Sequence, residues 1–149
     1  MRLKNLFDAR VKEEIIGRIN NLAPQSQAQW GKMNVAQMLA HVQQPIGVVE
    51  GMYKLPRTLF GRIFGPLAKP IIYNDRPFKR NLPTDKSFVM LGQEKDFEKE
   101  KLALIIMIQN FQEDNLVNEP HPFFGKLTKE QWSTGTWKHL DHHLQQFGV

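Results

Sequence analysis

Apolar residues recur along the chain at the three-to-four-residue spacing of α-helices, and this pattern predicts four long helices. The first begins near Asp8, which can cap the amides that follow, and ends at residues 23–26. The second begins at Asn34, and the third covers about residues 96–110. A capping-box pattern that opens at Thr128 begins the fourth. The pattern therefore predicts the all-α class.

The periodicity weakens over residues 51–83, which we interpret as a long cross-over connection after the second helix. Five apolar residues in it predict a short amphipathic helix opened by Pro56: Leu59, Phe60, Ile63, Phe64 and Leu67. Four residues are expected to break that helix: Gly61, Gly65, Pro66 and Pro70. We interpret its apolar side chains as a cover for one end of the core, in preference to a contact with a membrane surface. Residues 83–92 are expected to form a loop or a short extended piece.

The chain length predicts a single domain over residues 1–149, organised as a four-helix bundle with one long cross-over. The run from Leu102 to Ile108 is apolar on every side, as in a helix surrounded by others. It is far shorter than the ~20 residues that span a bilayer. The N-terminus offers no apolar signal core. We therefore expect a cytoplasmic protein without a transmembrane segment.

The positive charge is concentrated in one part of the chain. The net charge is +5, whereas residues 54–80 hold seven basic residues and one acid, Asp75, which gives +6 for this segment alone. Because the segment is broken by prolines and holds no recognisable nucleic-acid motif, we interpret it as a solvated rim and expect no nucleic-acid partner.

The last predicted helix carries two histidines four residues apart, His139 and His143. This spacing stacks two imidazoles on one helix face, where they can share a metal ion if a third ligand arrives. His41 on the second helix is the candidate third imidazole, and Pro45 predicts a bend at His41 because it cannot hydrogen-bond to that residue's carbonyl. The alternative is that the paired histidines lie incidentally on a surface helix and that His41 is a satisfied core histidine.

The sequence defines the positions and roles of the other polar residues less sharply. His121, between two prolines, is expected in solvent, with the mouth of a site as the alternative; His142 points about 100° away from His143 and is not counted as a ligand. By residue type and helix placement, three side chains are candidates to receive the free ring N–H groups: Gln44, Gln109 and Asn110. Two carboxyl groups are available as a general base, Glu50 and Asp141, but their spacing singles out neither.

Residues 33–42, Met-Asn-Val-Ala-Gln-Met-Leu-Ala-His-Val, and residues 139–146, His-Leu-Asp-His-His-Leu-Gln-Gln, resemble the DinB/YfiT-like superfamily, and within it the DUF1569 branch. The resemblance covers nearly the whole chain and includes His-Pro-Phe-Phe-Gly at residues 121–125. It implies a bundle in up-down-down-up order. It also implies a divalent metal, zinc or nickel with iron as a third option, bound by His41, His139 and His143 with water in the open position. Relatives with known activity use low-molecular-weight thiols.

Three hypotheses follow for function. The first is a metal-dependent enzyme of the thiol S-transferase or hydrolase type that acts on a small-molecule substrate. Because the chain has no cysteine, its thiol would come from a cofactor or substrate, and its metal ligands must be imidazole, carboxylate or water. The second is a metal-stabilised binding module without catalysis. The third is a structural bundle in which the imidazoles only form hydrogen bonds. A homodimer formed through a bundle face is compatible with each of them.

Overall fold

In a computed structural model of the protein, residues 2–52, 54–83, 86–117 and 119–149 are described, with Ser87 described by its backbone only. They form six α-helices: α1 Ala9–Asn20, α2 Val35–Val49, α3 Leu59–Ala68, α4 Pro70–Tyr73, α5 Phe97–Asn110 and α6 Lys129–Gln146. Two 3₁₀ turns cover Lys86–Phe88 and Glu113–Asn115. No strand occurs within these ranges, so the predicted all-α class is confirmed. Thr84 and Asp85 of the predicted 83–92 loop lie outside the described residues.

The starts of the long helices follow from side-chain caps. Asp8 accepts a hydrogen bond from the amide of Arg10 at the start of α1. Asn34 and Thr128 each form a complete capping box, at the starts of α2 and α6. Such a cap stabilises a helix by about 1 kcal/mol, because it satisfies amides that have no partner within the helix. The predicted starts are therefore confirmed, whereas α1 ends at Asn20, before the predicted end.

The four long helices contact one another in a closed ring. Helix α2 packs against α5 and α6, and α1 packs against the same two helices. Buried side chains from all four meet in one core, among them Ile19, Leu39, Ile108 and Leu144. The ring order is therefore α1, α5, α2, α6. The up-down-down-up order of helix directions stays a prediction.

Helix α5 buries only one side, which corrects the expectation that residues 102–108 are surrounded. Leu104 and Ile108 are buried, whereas Leu102 is 60% exposed and Ile106 is 46% exposed. The physical reason is that α5 has two long neighbours, α1 and α2, which cover one face of the helix.

Helix α3 runs without interruption through three of the residues expected to break it, Gly61, Gly65 and Pro66, so that expectation is wrong. The glycines serve close packing. A Cβ at Gly65 would lie 1.9 Å from the carbonyl oxygen of Phe123, and one at Gly61 would lie 3.0 Å from the Phe123 Cα. Because glycine has no side chain, the helix can lie directly on the backbone of the loop that precedes α6. Pro70 does mark a boundary, since it is the first residue of α4.

The apolar side chains of α3 face solvent, which corrects their interpretation as a cover for the core. Their exposed fractions run from 45% at Phe64 to 80% at Leu67. Only Gly61 and Gly65 of this helix are buried. The helix is therefore attached to the protein by its glycine face.

None of the helices in the described part of the chain is both long enough and apolar enough to cross a membrane.

Candidate metal centre

The fold brings the three predicted histidines together between α2 and α6. The Nε2 atoms of His41 and His139 are 3.1 Å apart. Ring centroids are separated by 4.8 Å for His41 and His143 and by 4.7 Å for His139 and His143. One ligand atom from each ring lies within 4.8 Å of the other two, so the three side chains form a group that could hold a metal ion.

The ring of His41 is oriented by a main-chain carbonyl from the connection between α2 and α5. Its Nδ1 lies 2.8 Å from the carbonyl oxygen of Phe88, which ends a 3₁₀ turn. Because a carbonyl can only accept, Nδ1 carries the hydrogen and Nε2 is left with a free lone pair. That lone pair points toward His139. Helix α2 continues through Pro45, and the bend expected there stays a prediction.

The ring of His143 is oriented in the same way by a side chain on its own helix. Its Nδ1 lies 2.8 Å from Oε1 of Gln146, whose Nε2 donates to the carbonyl of Trp30 at 2.6 Å. The second bond fixes the amide so that Oε1 faces the imidazole, and His143 Nδ1 is therefore the donor. The Nε2 of His143 is then also a free lone pair.

Burial keeps the three imidazoles neutral. His41 and His143 are 4% and 8% exposed, and His139 is half-buried. Desolvation lowers the pKa of His143 to about 3, with His41 adding to the effect. Desolvation, followed by the neighbouring histidines, holds the pKa of His139 well below its ordinary value, and burial lowers that of His41. Neutral imidazole is the protonation state that binds metal.

Three neutral imidazoles are a donor set that could hold a divalent metal ion, and one of their separations can be compared with that in a zinc site. Zn–N bonds of about 2.0–2.1 Å in tetrahedral geometry place two ligand nitrogens about 3.3–3.4 Å apart. The 3.1 Å between His41 and His139 is close to that separation. Ligating histidines usually donate their other ring N–H to a carbonyl or carboxylate, as His41 and His143 do here with Phe88 and Gln146.

Comparison with protein families gives one match, a family described as a protein of unknown function (DUF1569), over residues 4–148. The chain belongs to the DUF1569 family. Neither the curated proteins nor the solved structures contain a match. The DUF1569 match spans all three histidines of the site. It also spans Phe88, whose carbonyl orients His41, and Gln146, whose side chain orients His143.

In this DUF1569 chain, the two remaining histidines are excluded from the three-histidine group. His121 Nδ1 accepts hydrogen bonds from the amides of Phe123 and Phe124, at 3.0 and 3.2 Å. Its hydrogen must therefore be on Nε2, and neither nitrogen offers a free lone pair. The ring is half-buried between Phe124 and Trp132, so the expectation of a solvent position is wrong.

His142 lies on the neighbouring face of α6, in a cleft of about 180 Å³. Its ring contacts Trp30 and Phe78, at centroid distances of 5.7 and 6.0 Å. Arg80 stacks over Trp30 at 4.2 Å at the same cleft. The group that could hold an ion contains His41, His139 and His143 and does not include His142.

The Nδ1 hydrogens of His41 and His143 are accepted by Phe88 and Gln146, and not by any of the three predicted acceptors, Gln44, Gln109 and Asn110. Gln109 and Asn110 are exposed, and Gln44 donates to the carbonyl of Ala40 on its own helix. Gln146 could have been found, because it follows His143 by three residues and therefore lies on the same helix face. The carbonyl of Phe88 carries no sequence signal.

Neither carboxyl group considered as a general base is positioned for that role. Asp141 accepts from Arg18 and from Gln145, each at 2.7 Å. Glu50 follows His41 by nine residues on the same helix, which corresponds to about 13 Å along its axis. Burial raises the pKa of Glu50, and its Oε1 is buried without a hydrogen-bond partner, but this group lies far from the histidines.

Lys138, next to His139, was not singled out by the sequence and fastens α4 to α6. It is 1% exposed, and its Nζ donates to the carbonyls of Ile71 and Asn74 and to Asn74 Oδ1. Burial lowers the pKa of Lys138, and Asp75 partly offsets this effect. The ammonium satisfies carbonyls at the end of α4 that have no partner within the helix.

The Gln146→Leu variant is expected to bind zinc about 10- to 100-fold more weakly than the wild type, because His143 loses the acceptor that orients its ring. Competition with a chromogenic chelator measures the change. Gln145→Leu is the matched control, since Gln145 is exposed and contacts Asp141 instead. Equal zinc affinity in the two variants would contradict the orienting role of Gln146.

Proposed function

We propose that the protein binds one divalent metal ion through His41, His139 and His143 and is a metal-dependent enzyme of the thiol S-transferase or hydrolase type. One observation carries the proposal: two helices direct three neutral imidazoles at one another, and two of these have an unprotonated Nε2. Without an ion, this arrangement removes ring nitrogens from water with little compensating interaction. Burial of a polar atom that has no partner destabilises the folded state.

In the proposed site, the protein supplies ligand geometry and a dry surrounding. Phe88 and Gln146 hold the Nδ1 hydrogens, so the Nε2 atoms of His41 and His143 remain available. Three imidazoles leave one position of a tetrahedral ion for a small molecule, as in catalytic sites. When bound, the ion supplies Lewis acidity and lowers the pKa of water or of an incoming thiol. Zinc or nickel suits an all-imidazole donor set best, and iron is the third option.

The substrate class follows from what the chain lacks. It contains no cysteine, so a thiol nucleophile must be a low-molecular-weight thiol or the substrate itself. The resemblance to the DinB/YfiT-like superfamily supports the same reaction class and an up-down-down-up bundle. The ring of contacts α1, α5, α2, α6 is compatible with that bundle.

A second function, a metal-stabilised binding module, is favoured because neither Asp141 nor Glu50 is positioned to act as a general base. Asp141 is held by Arg18, and Glu50 is at the far end of α2. A metal-stabilised binding module needs no proton acceptor and would use the ion to hold a ligand. A purely structural cluster is the third candidate, since 3.1 Å between two Nε2 atoms also fits a hydrogen bond from His139 to His41.

Elemental analysis and turnover assays on the same preparation distinguish these functions. The protein is purified without an affinity tag and assayed with a low-molecular-weight thiol and an electrophile, before and after chelation. We expect about one equivalent of metal, and turnover that is lost on chelation and restored by the ion. Bound metal without turnover would favour the binding module. Failure to bind zinc, nickel or iron would leave the structural cluster.

A further inference from the structure

Helix α3 presents a continuous apolar stripe to solvent, made of five large side chains within ten residues. Their exposed fractions are 75% for Leu59, 62% for Phe60, 58% for Ile63, 45% for Phe64 and 80% for Leu67. The rings of Phe60 and Phe64 lie 4.5 Å apart, and Phe123 extends the stripe from the loop below. A contiguous apolar surface of this kind marks an interaction site more often than scattered exposed residues do.

The attachment of α3 explains why the stripe points outward. At about 100° per residue, the five apolar residues cover an arc of about 140°, and Gly61 and Gly65 lie close to the opposite side. Gly61 rests on the backbone of Phe123, and Gly65 rests on the backbone of Phe123 and Phe124. Because any side chain at these two positions would push the helix away, the glycine face is the inner face. The apolar face is therefore held outward by the packing itself.

The charge around the stripe has one sign. Residues 54–74 contain no acid, while Arg57, Arg62 and Lys69 lie within or beside α3. Arg62 is exposed, whereas Arg57 and Lys69 are half-buried and donate to the carbonyls of Gly61 and Lys126. Lys54 is the one basic residue of this stretch paired with an acid in the described structure, with Glu119 at 3.0 Å. Apolar residues flanked by unneutralised basic residues are typical of helices that lie in the interface of an anionic bilayer.

We propose that α3 is a membrane-contact helix, with its apolar stripe inserted at the surface of a bilayer that contains anionic lipid. A second copy of the chain is a poorer occupant. Two stripes related by a two-fold axis would bring the basic residues of both copies together with no acid between them, and like charges across an interface cost several kcal/mol. Anionic headgroups complement the same residues. The proposal is independent of the metal centre.

Sedimentation with vesicles tests the proposal on the full chain. Vesicles of phosphatidylcholine with 30% phosphatidylglycerol are compared with vesicles of phosphatidylcholine alone, at low and high salt. We expect at least a 10-fold higher bound fraction on the anionic vesicles. Salt should reduce this binding, because it screens the attraction between the basic residues and the anionic headgroups. Substitution of Phe60 and Leu67 by serine is expected to abolish binding, and Arg62→Glu to weaken it severalfold.

Leu102→Ser on α5 is the matched control, since Leu102 is also 60% exposed but lies on another helix. It is expected to bind vesicles as the wild type does. Equal binding by the Phe60/Leu67 variant would overturn the proposal, as would no preference for anionic lipid. Light scattering after size exclusion covers the alternative occupant: a wild-type dimer that dissociates in this variant, without vesicle binding, would assign the stripe to a second copy. If the Phe60/Leu67 variant does not fold, Arg62→Glu tests the proposal alone: vesicle binding equal to that of the wild type would overturn it.

Discussion

Replacement of His139 by alanine is expected to reduce bound metal from about one equivalent to less than a tenth. The Nε2 atoms of His139 and His41 are 3.1 Å apart, and loss of His139 leaves two imidazoles on two different helices. Two ligands hold a divalent ion far more weakly than three, because each absent ligand position is left to water. Elemental analysis of dialysed protein measures the content.

His142→Ala is the matched control for this experiment. It removes an imidazole from the same helix, three residues further along, that lies in the cleft beside Trp30 and outside the three-histidine group. This variant is expected to keep its metal. His121→Ala is expected to keep it as well, since the hydrogen on His121 Nε2 and the two amides at Nδ1 leave no free lone pair. Loss of metal in His142→Ala but not in His139→Ala would refute the assignment of ligands.

The metal-free protein is expected to lose stability as the pH falls from about 6.5 toward 4, before most surface carboxylates are protonated. The pKa of His143 is about 3 in the folded chain and 6.5 for an ordinary histidine, so the unfolded chain binds more protons between these values. Stability then decreases as pH falls through this window. For His143 alone the loss is ~3 kcal/mol at pH 4, from about 1.4 kcal/mol per unit.

Urea unfolding at several pH values, after treatment with a chelator, measures this loss. The His143→Gln variant is expected to show a shallower dependence over the same range, because it removes a group whose pKa is lower in the folded chain than in the unfolded chain. Added zinc should shift the wild-type curve upward at pH 7 and progressively less at lower pH, since protons compete with the ion for the imidazoles. An identical pH dependence in wild type and variant would show that His143 does not titrate on unfolding.

The sequence predicted the starts of the helices and the stacking of His139 and His143 on one helix face because both depend on short-range patterns. The caps at Asn34 and Thr128 and the spacing of His139 and His143 are local, and they need no knowledge of the rest of the fold. The outward face of α3 was not predictable in this way. It depends on the contact of Gly65 with Phe123, which lies 58 residues later in the sequence.

Of the two hydrogen-bond acceptors that orient the imidazoles, one could be predicted from the sequence and the other could not. Gln146 belongs to the helix of His143 and was within reach of spacing arguments. The acceptor for His41 comes from a connection whose path the periodicity does not define, and it is a main-chain atom. The lowered pKa values of His41 and His143 depend on burial, which is a property of the assembled helices rather than of any segment.

The use of the Phe88 carbonyl to hold His41 has a consequence for how this site can change during evolution. Every amino acid supplies a main-chain carbonyl, so substitution at position 88 need not alter the acceptor as long as the 3₁₀ turn at 86–88 keeps its course. Insertions or deletions between α2 and α5 would displace it. Because the Phe88 side chain is itself buried in the core, we expect substitution at position 88 by other apolar residues to be tolerated, and changes in the length of this connection to be selected against.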